Sequence, residues 1–115
     1  MLIAFSVQRE GNDGTIDARF GRCPFFALLD EQNSESTWVA NPAAGASVGA
    51  GTGAAQFLLE QGVDMVVTGQ VGPKAMEILV AADIPIFLAP ADLPLVEAIH
   101  KYQAGQLQQY RIQRF

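Results

Sequence analysis

The first apolar run of the chain restricts the fold more than any other feature. Leu2–Val7 is apolar at every position except Ser6. A continuous run of this kind predicts a strand that is buried on both faces, because a strand with one face in water alternates apolar and polar residues. A sheet that is buried on both faces needs helices on both sides. The sequence therefore favours an α/β protein.

The rest of the pattern gives the element order βββαβαβα. Strands separated by helices are expected to be parallel, with right-handed crossovers, so we predict a mixed five-stranded sheet in a ribonuclease H-like arrangement with helices on both faces. Pro85 favours an edge position for the last strand, and Leu107–Ile112 fits either a short added strand or a packed tail. The predicted strands are Leu2–Val7, Pro24–Leu29, Thr37–Ala40, Val63–Thr68 and Ile84–Ala89; the predicted helices run from Thr52 to Gln61, from Pro73 onward, and from a cap at Asp92 to Gly105.

Length, charge and cysteine content limit the class of protein. A chain of 115 residues that is 50% hydrophobic predicts one packed domain over residues 1–115. A net charge of −5 argues against a nucleic-acid-binding surface. One cysteine cannot form an internal disulfide, no basic residue precedes the N-terminal apolar run, and no apolar stretch approaches the ~20 residues of a membrane span. We expect a cytoplasmic protein with no nucleic-acid or membrane partner.

The segment from Asp17 to Phe26, here called the cysteine turn, holds the only cysteine and two of the seven basic residues. A glycine that can adopt a positive φ and a stiff proline carry the chain into the second strand. A thiol and two guanidinium groups at the end of a strand suit an anion or a metal cluster. The thiol would have a lowered pKa beside Arg22, whereas its alternative role is that of a small buried apolar side chain. The candidate binding residues are Arg19, Phe20, Gly21, Arg22 and Cys23.

Asn41–Gly53, here called the glycine loop, is the second candidate. Gly49, Gly51 and Gly53 would let backbone N–H groups approach an anion at a helix start, although the loop lacks the Lys-Ser/Thr pair of a phosphate-binding loop. Its alternative role is that of a flexible linker. The cysteine turn, the glycine loop, Gln8–Thr15 and Gly69–Pro73 should all lie at the carboxyl ends of the strands, where open α/β sheets bind ligands.

Several other features favour structural roles. His100 lies beside Lys101 in the last helix, far from these loops, and is expected at the surface. Phe25 and Phe26 are expected in the core, since neighbouring residues of a strand face opposite sides. Arg111 and Arg114 are expected in a solvated tail. Two-metal nuclease chemistry would need several carboxylates near the middle of the sheet, and the predicted elements do not place them there.

Several short motifs occur in a fixed order along the chain: Arg19-Phe20-Gly21-Arg22-Cys23 followed by Phe26, Gly49-Ala50-Gly51, Gly62-Val63-Asp64, Val67-Thr68-Gly69 and Val71-Gly72-Pro73. Their order and spacing resemble those of a known family, the dinitrogenase iron-molybdenum cofactor biosynthesis family, which includes NifX, NafY and the C-terminal domain of NifB. The likeness covers nearly the whole chain and ends with Tyr102–Leu107.

The resemblance implies a ribonuclease H-like fold and a non-catalytic role in nitrogen fixation. Its members would carry the iron-molybdenum cofactor or an iron–sulfur cluster precursor, with Cys23 as the metal ligand and nitrogenase-maturation or iron–sulfur proteins as partners. One thiol per chain is few for a cluster, so a second copy of the chain in a homodimer, or an exogenous thiol, would contribute.

One position departs from the family, whose nitrogen-fixation members commonly have histidine where this chain has Arg19. A guanidinium cannot ligate iron, but it can pair with an anionic cluster. Three alternatives stay open: a metal-free interaction or regulatory domain, a binder of another small anion, and an enzyme acting on a small anionic metabolite with Asp17 as its base.

Overall fold

The computed structural model describes residues 1–110 and contains six strands and three helices in that range. Their order follows the predicted alternation, with one strand added at the end. The elements are β1 (Leu2–Val7), β2 (Phe25–Asp30), β3 (Glu35–Ala40), α1 (Ala50–Glu60), β4 (Met65–Thr68), α2 (Pro73–Ala81), β5 (Ile86–Leu88), α3 (Leu95–Gln103) and β6 (Gln108–Tyr110).

The strands form one mixed sheet in the order β3-β2-β1-β4-β5-β6. β1, β4 and β5 are parallel neighbours, and β2 is antiparallel to both β1 and β3. β1, β3, β4 and β5 therefore run in the same direction, as predicted. This arrangement confirms an α/β protein with a mixed sheet; the closer likeness to ribonuclease H stays a prediction.

The predicted count of five strands was wrong. After α3 the chain reverses at Gly105, which has a φ of 70°, and β6 then pairs antiparallel with β5. The edge position predicted from Pro85 was wrong for the same reason, since β5 lies between β4 and β6. Pro85 precedes the strand and needs no N–H there; its carbonyl accepts a hydrogen bond from Val66 N at 3.0 Å.

Helices cover both faces of the sheet. α1 and α2 enclose one core, which includes Phe26, Leu58 and Leu79, and α3 encloses a second core with Phe5 and Leu95. Residues of β1 alternate between the two cores, and all but the first are buried. The continuous apolar run of the sequence thus corresponds to a strand that is buried on both sides.

The first turns of the helices differ from prediction in two places. α1 begins at Ala50, two residues earlier than expected. Asp92 does not cap α3, because Pro94 occupies that position; Asp92 has a φ of 66° and accepts a hydrogen bond from Gln8 Nε2 at 3.1 Å. Among the helices of residues 1–110, none is long and apolar enough to cross a membrane.

Candidate functional site

A cleft lies at the end of the sheet where β1, β3 and β4 finish. Its volume of about 660 Å³ is within the size range of small-molecule sites. All four loops follow the carboxyl ends of parallel strands, as predicted. Three of them, the cysteine turn, the end of the glycine loop and the turn after β4, supply the walls of the cleft. The fourth, Gln8–Thr15, packs instead against the start of α3, where Leu95 N donates to Gly14 O at 2.9 Å. The lining residues are Arg19–Arg22, Gly49–Thr52 and Gln70–Ala75.

The cysteine turn is held directly against both other walls. A Cβ on Gly21 would lie 2.5 Å from Gly51 N, and one on Gly69 would lie 2.7 Å from Ala18 Cα. Backbone hydrogen bonds also join the turn to the segment after β4, with Gln70 N donating to Ala18 O at 2.6 Å. Gly21 is therefore required for close approach to α1, and not for a positive φ, which it does not have.

The predicted glycines of the glycine loop have three different surroundings. Gly49 is the N-cap of α1 and has a φ of 77°. Gly51 faces α2, where an added Cβ would lie 3.3 Å from Ala75 Cβ, and this permits close contact of the two helices. Gly53 is not among the residues that line the cleft, and a Cβ added to it would lie 3.0 Å from Ala43 Cβ. Two of the three glycines therefore line the cleft, and their role in binding stays a prediction.

Two helices begin in the cleft wall. The first turns of α1 and α2 both contribute lining residues, and in the described chain neither helix has a side-chain cap. The first N–H groups of a helix have no partner within the helix, and they give its N-terminus a partial positive charge. Both helix starts therefore offer backbone donors to an anion.

Three of the seven basic residues of the sequence line this one cleft, namely Arg19, Arg22 and Lys74. The described residues that line it include no Asp or Glu. Since the whole chain carries a net charge of −5, the cleft is a positively charged site on an acidic protein. Such a site concentrates anions locally.

Arg19 is paired with Asp17, which is only 2% exposed. Arg19 Nε and Nη2 donate to the two carboxylate oxygens at 3.1 and 2.9 Å, and its backbone N donates at 2.9 Å. Burial acts to raise the pKa of Asp17, but the hydrogen bonds and charge of Arg19 outweigh it and lower that pKa overall. The charge of Arg19 is therefore compensated within the protein.

Arg22 and Lys74 have no carboxylate partner within residues 1–110. The guanidinium of Arg22 donates to the carbonyls of Ala44 and Ala46 and so ties the cysteine turn to the glycine loop. Lys74, the second residue of α2, is exposed and was missed by the sequence analysis. Its position directly after Pro73, at a helix start that follows a central strand, was the available signal.

Cys23 is fully buried and belongs to the core that α1 and α2 enclose. Its Sγ is 3.4 Å from Phe20 O, to which the thiol donates. Burial, together with the nearby charge of Asp17, raises the pKa of Cys23 to about 12. The prediction of a lowered pKa was wrong, because the buried thiol is desolvated and the guanidinium of Arg22 turns to the glycine loop.

Ligation of a metal by Cys23 stays a prediction. The thiol is not among the residues that line the cleft. In the part of the chain that the structure describes, no group of three or more His, Cys, Asp or Glu side chains is placed to hold a metal ion.

Asn41 is a second residue that sequence analysis missed, and it holds the cysteine turn in place. Asn41 is buried, with 5% of its surface exposed. Its Nδ2 donates to Gly21 O at 3.1 Å and to Cys23 O at 2.9 Å, and its Oδ1 accepts from Ala43 N at 3.0 Å. The Asn-Pro pair at the end of a predicted strand was the available signal.

The remaining candidates are placed largely as expected. Phe20 is buried at the base of the cleft against Phe26, with 5.6 Å between ring centroids. Phe25 and Phe26 belong to the two opposite cores, as predicted. His100 is exposed on α3. Arg111 and Arg114 lie outside the described residues.

Fold and cleft together define a small α/β protein with an electropositive cleft at the carboxyl ends of its parallel strands. The chain belongs to the family described as dinitrogenase iron-molybdenum cofactor, whose model matches residues 1–105. The family predicted from the motifs is thus confirmed.

Known structures and sequences are similar to this chain over most of its length. The apo form of the orange protein from Desulfovibrio gigas is 35% identical and superimposes with a TM-score of 0.89, over 95% of this chain and 92% of that one. A candidate NifB protein from Thermotoga is 24% identical, with a TM-score of 0.82 over 98% and 97% of the two chains, and shows the shared fold. An uncharacterized protein of Methanocaldococcus jannaschii is 24% identical over 102 residues, 86% of each chain.

Proposed function

We propose that this protein is a non-catalytic carrier whose cargo is an anionic metal cluster, either the iron-molybdenum cofactor or an iron–sulfur precursor of it. The observation that carries the proposal is the cleft, which has three basic side chains and no acidic one among its described lining residues. Family membership names the class of cargo. Nitrogenase-maturation or iron–sulfur proteins would deliver the cluster and receive it.

The chemistry of the lining suits the outer atoms of such a cluster. Guanidinium, ammonium and backbone N–H groups are all donors, and the sulfur and oxygen atoms at the periphery of an anionic cluster accept hydrogen bonds. Charge-assisted hydrogen bonds of this kind are about twice as strong as neutral ones. The cluster would thus be held through its periphery in the cleft, with its own ligands intact.

A carrier fits the cleft better than a catalyst does. General base catalysis needs a group that can accept a proton from the substrate at the site, and the charged side chains of the lining are two arginines and a lysine. The nearest candidate base, Asp17, is 2% exposed and is held by Arg19. This supports binding without chemical conversion.

A second candidate function is the binding of a small oxyanion. The observation that favours it is that no thiol, imidazole or carboxylate is found among the described residues that line the cleft. A site built only of donors can hold any compact anion of suitable size.

Anaerobic loading tests the carrier proposal. The protein is incubated with isolated iron-molybdenum cofactor, or with iron, sulfide and a thiol reductant that supplies the terminal ligands of the cluster. It is then separated by gel filtration and examined by optical spectroscopy. We expect charge-transfer bands to co-elute with the wild type and with Cys23→Ala, and to be lost from Arg22→Gln. Arg9→Gln is the matched control, because Arg9 pairs with Asp13 on the surface outside the cleft.

The outcomes separate the alternatives. Bands that disappear only in Cys23→Ala would assign the metal to the thiol and would show that the buried conformation opens. No bound cluster in any variant would refute the carrier proposal and favour the small oxyanion.

A further inference from the structure

The three cations of the cleft differ in how much of their charge is available to a ligand. Arg19 makes a two-point contact with Asp17, so its charge is compensated. Arg22 keeps its charge, but its guanidinium is engaged by the carbonyls of the glycine loop. Lys74 has no hydrogen bond or ion pair from its side chain within residues 1–110, and it is exposed.

Lys74 is also placed where further positive potential converges. It is the second residue of α2, whose N-terminus has no side-chain cap in the described chain. The start of α1, likewise without a side-chain cap, forms the facing wall. Each helix N-terminus acts as roughly half a positive charge. With Arg22 and Lys74, the cleft therefore presents about three positive charges, and the described residues that line it include no Asp or Glu.

We infer that Lys74 is the residue through which the cleft selects its ligand by charge, and that the ligand carries at least two negative charges. A singly charged anion would leave most of the positive potential unbalanced, whereas a dianion or a larger anion matches it. The inference rests on the proposed function, since it concerns the same cleft, and it applies to a metal cluster and to a small oxyanion alike.

Two tetrahedral oxyanions of nearly the same size separate charge from shape. Tungstate carries two negative charges and perrhenate carries one. Binding of each is measured by isothermal titration calorimetry at low ionic strength, because salt screens exposed charges. We expect tungstate to bind at least about tenfold more tightly than perrhenate, a difference of roughly 1.4 kcal/mol.

Variants of Lys74 test whether this residue provides the selection. Lys74→Gln should weaken tungstate binding about tenfold and should reduce the difference in affinity between tungstate and perrhenate. Lys74→Arg should restore the tungstate affinity and the difference between the two anions. Lys101→Gln is the matched control, because it removes the same charge from α3 on the opposite face of the sheet. The unfolding midpoint of Lys74→Gln should not fall below that of the wild type, since its side chain has no partner to lose within residues 1–110 and a cation is unfavourable at a helix N-terminus.

Equal affinity for the two anions, no binding of either, or unchanged tungstate affinity in Lys74→Gln would each overturn the inference. The carrier proposal fails separately. Charge selection of tungstate without uptake of a metal cluster would refute only the carrier, and uptake of a cluster that is insensitive to Lys74→Gln would refute only the selection by Lys74.

Discussion

Gly21→Ala tests the contact on which the cleft depends. The new Cβ would lie 2.5 Å from Gly51 N, 2.8 Å from Gly51 Cα and 2.9 Å from Ala50 C. All three are backbone atoms, so no side-chain rotation can relieve the overlap, and the cysteine turn must move away from α1. Overpacking costs about 1–3 kcal/mol, and three short backbone contacts place this change at the upper end of that range.

Part of this cost is offset in the unfolded state. Replacing glycine by alanine restricts the unfolded chain and returns about 0.4–1 kcal/mol, which leaves a net loss of about 2 kcal/mol. For a domain of this size we expect the melting temperature to fall by roughly 6–10 °C. Because the displaced turn carries Arg22, binding of a cluster or of tungstate should weaken as well.

Urea denaturation and calorimetric titration measure the two effects. Gly45→Ala is the matched control, since a Cβ there meets no heavy atom of the described chain within 4 Å and its φ is not positive. We expect the free energy of unfolding of that control to change by no more than about 0.5 kcal/mol. The close-approach argument is refuted if Gly21→Ala is as stable as Gly45→Ala and still binds its ligand.

Two further predictions concern the supports of the cysteine turn. Asn41→Ala should lower the free energy of unfolding by about 2–3 kcal/mol, because two backbone carbonyls of the turn lose their donor. Asn33→Ala, at an exposed turn, is the control and should change the free energy of unfolding little in the same urea titration. Equal losses of free energy in the two variants would contradict the role of Asn41. Arg19 lowers the pKa of Asp17 in the folded state below its ordinary value of 3.8. This carboxylate therefore stabilises the protein above pH 3.8 and loses its effect as the pH falls through the lowered pKa. Asp17→Asn should therefore be less stable than wild type at pH 7 and should lose less stability below pH 3.8. If the variant and the wild type lose the same stability at low pH, the pairing of Asp17 with Arg19 is contradicted.

The architecture of the sheet could be predicted because its signals are local. Leu2–Val7 is continuously apolar, and each helix that follows ends near a glycine or is preceded by a proline. The short strand β6 could not be predicted with the same certainty. Gln108–Tyr110 has no apolar pattern of its own, and it becomes a strand only because the reversal after α3 brings it beside β5.

The position of the cleft was predictable from the sequence. Which of its basic side chains has a partner within the protein was not. The loops that line the cleft follow from strand direction, and the basic residues of the cysteine turn are visible in the sequence. Whether a cation has a hydrogen-bond or ion-pair partner, however, depends on residues that are distant along the chain. Arg22 meets carbonyls 22 and 24 residues away, and Lys74 reaches the same cleft from α2.

The sequence by itself determined the element order, the direction of the strands and the family, because apolar periodicity and the spacing of short motifs are written along the chain. Only the tertiary structure decided that Cys23 is buried with a raised pKa, that Gly21 serves close packing, and that Lys74 faces the cleft without a partner in the described chain. Burial, charge compensation and steric clearance depend on residues that folding brings together from distant parts of the chain, and local sequence does not specify them.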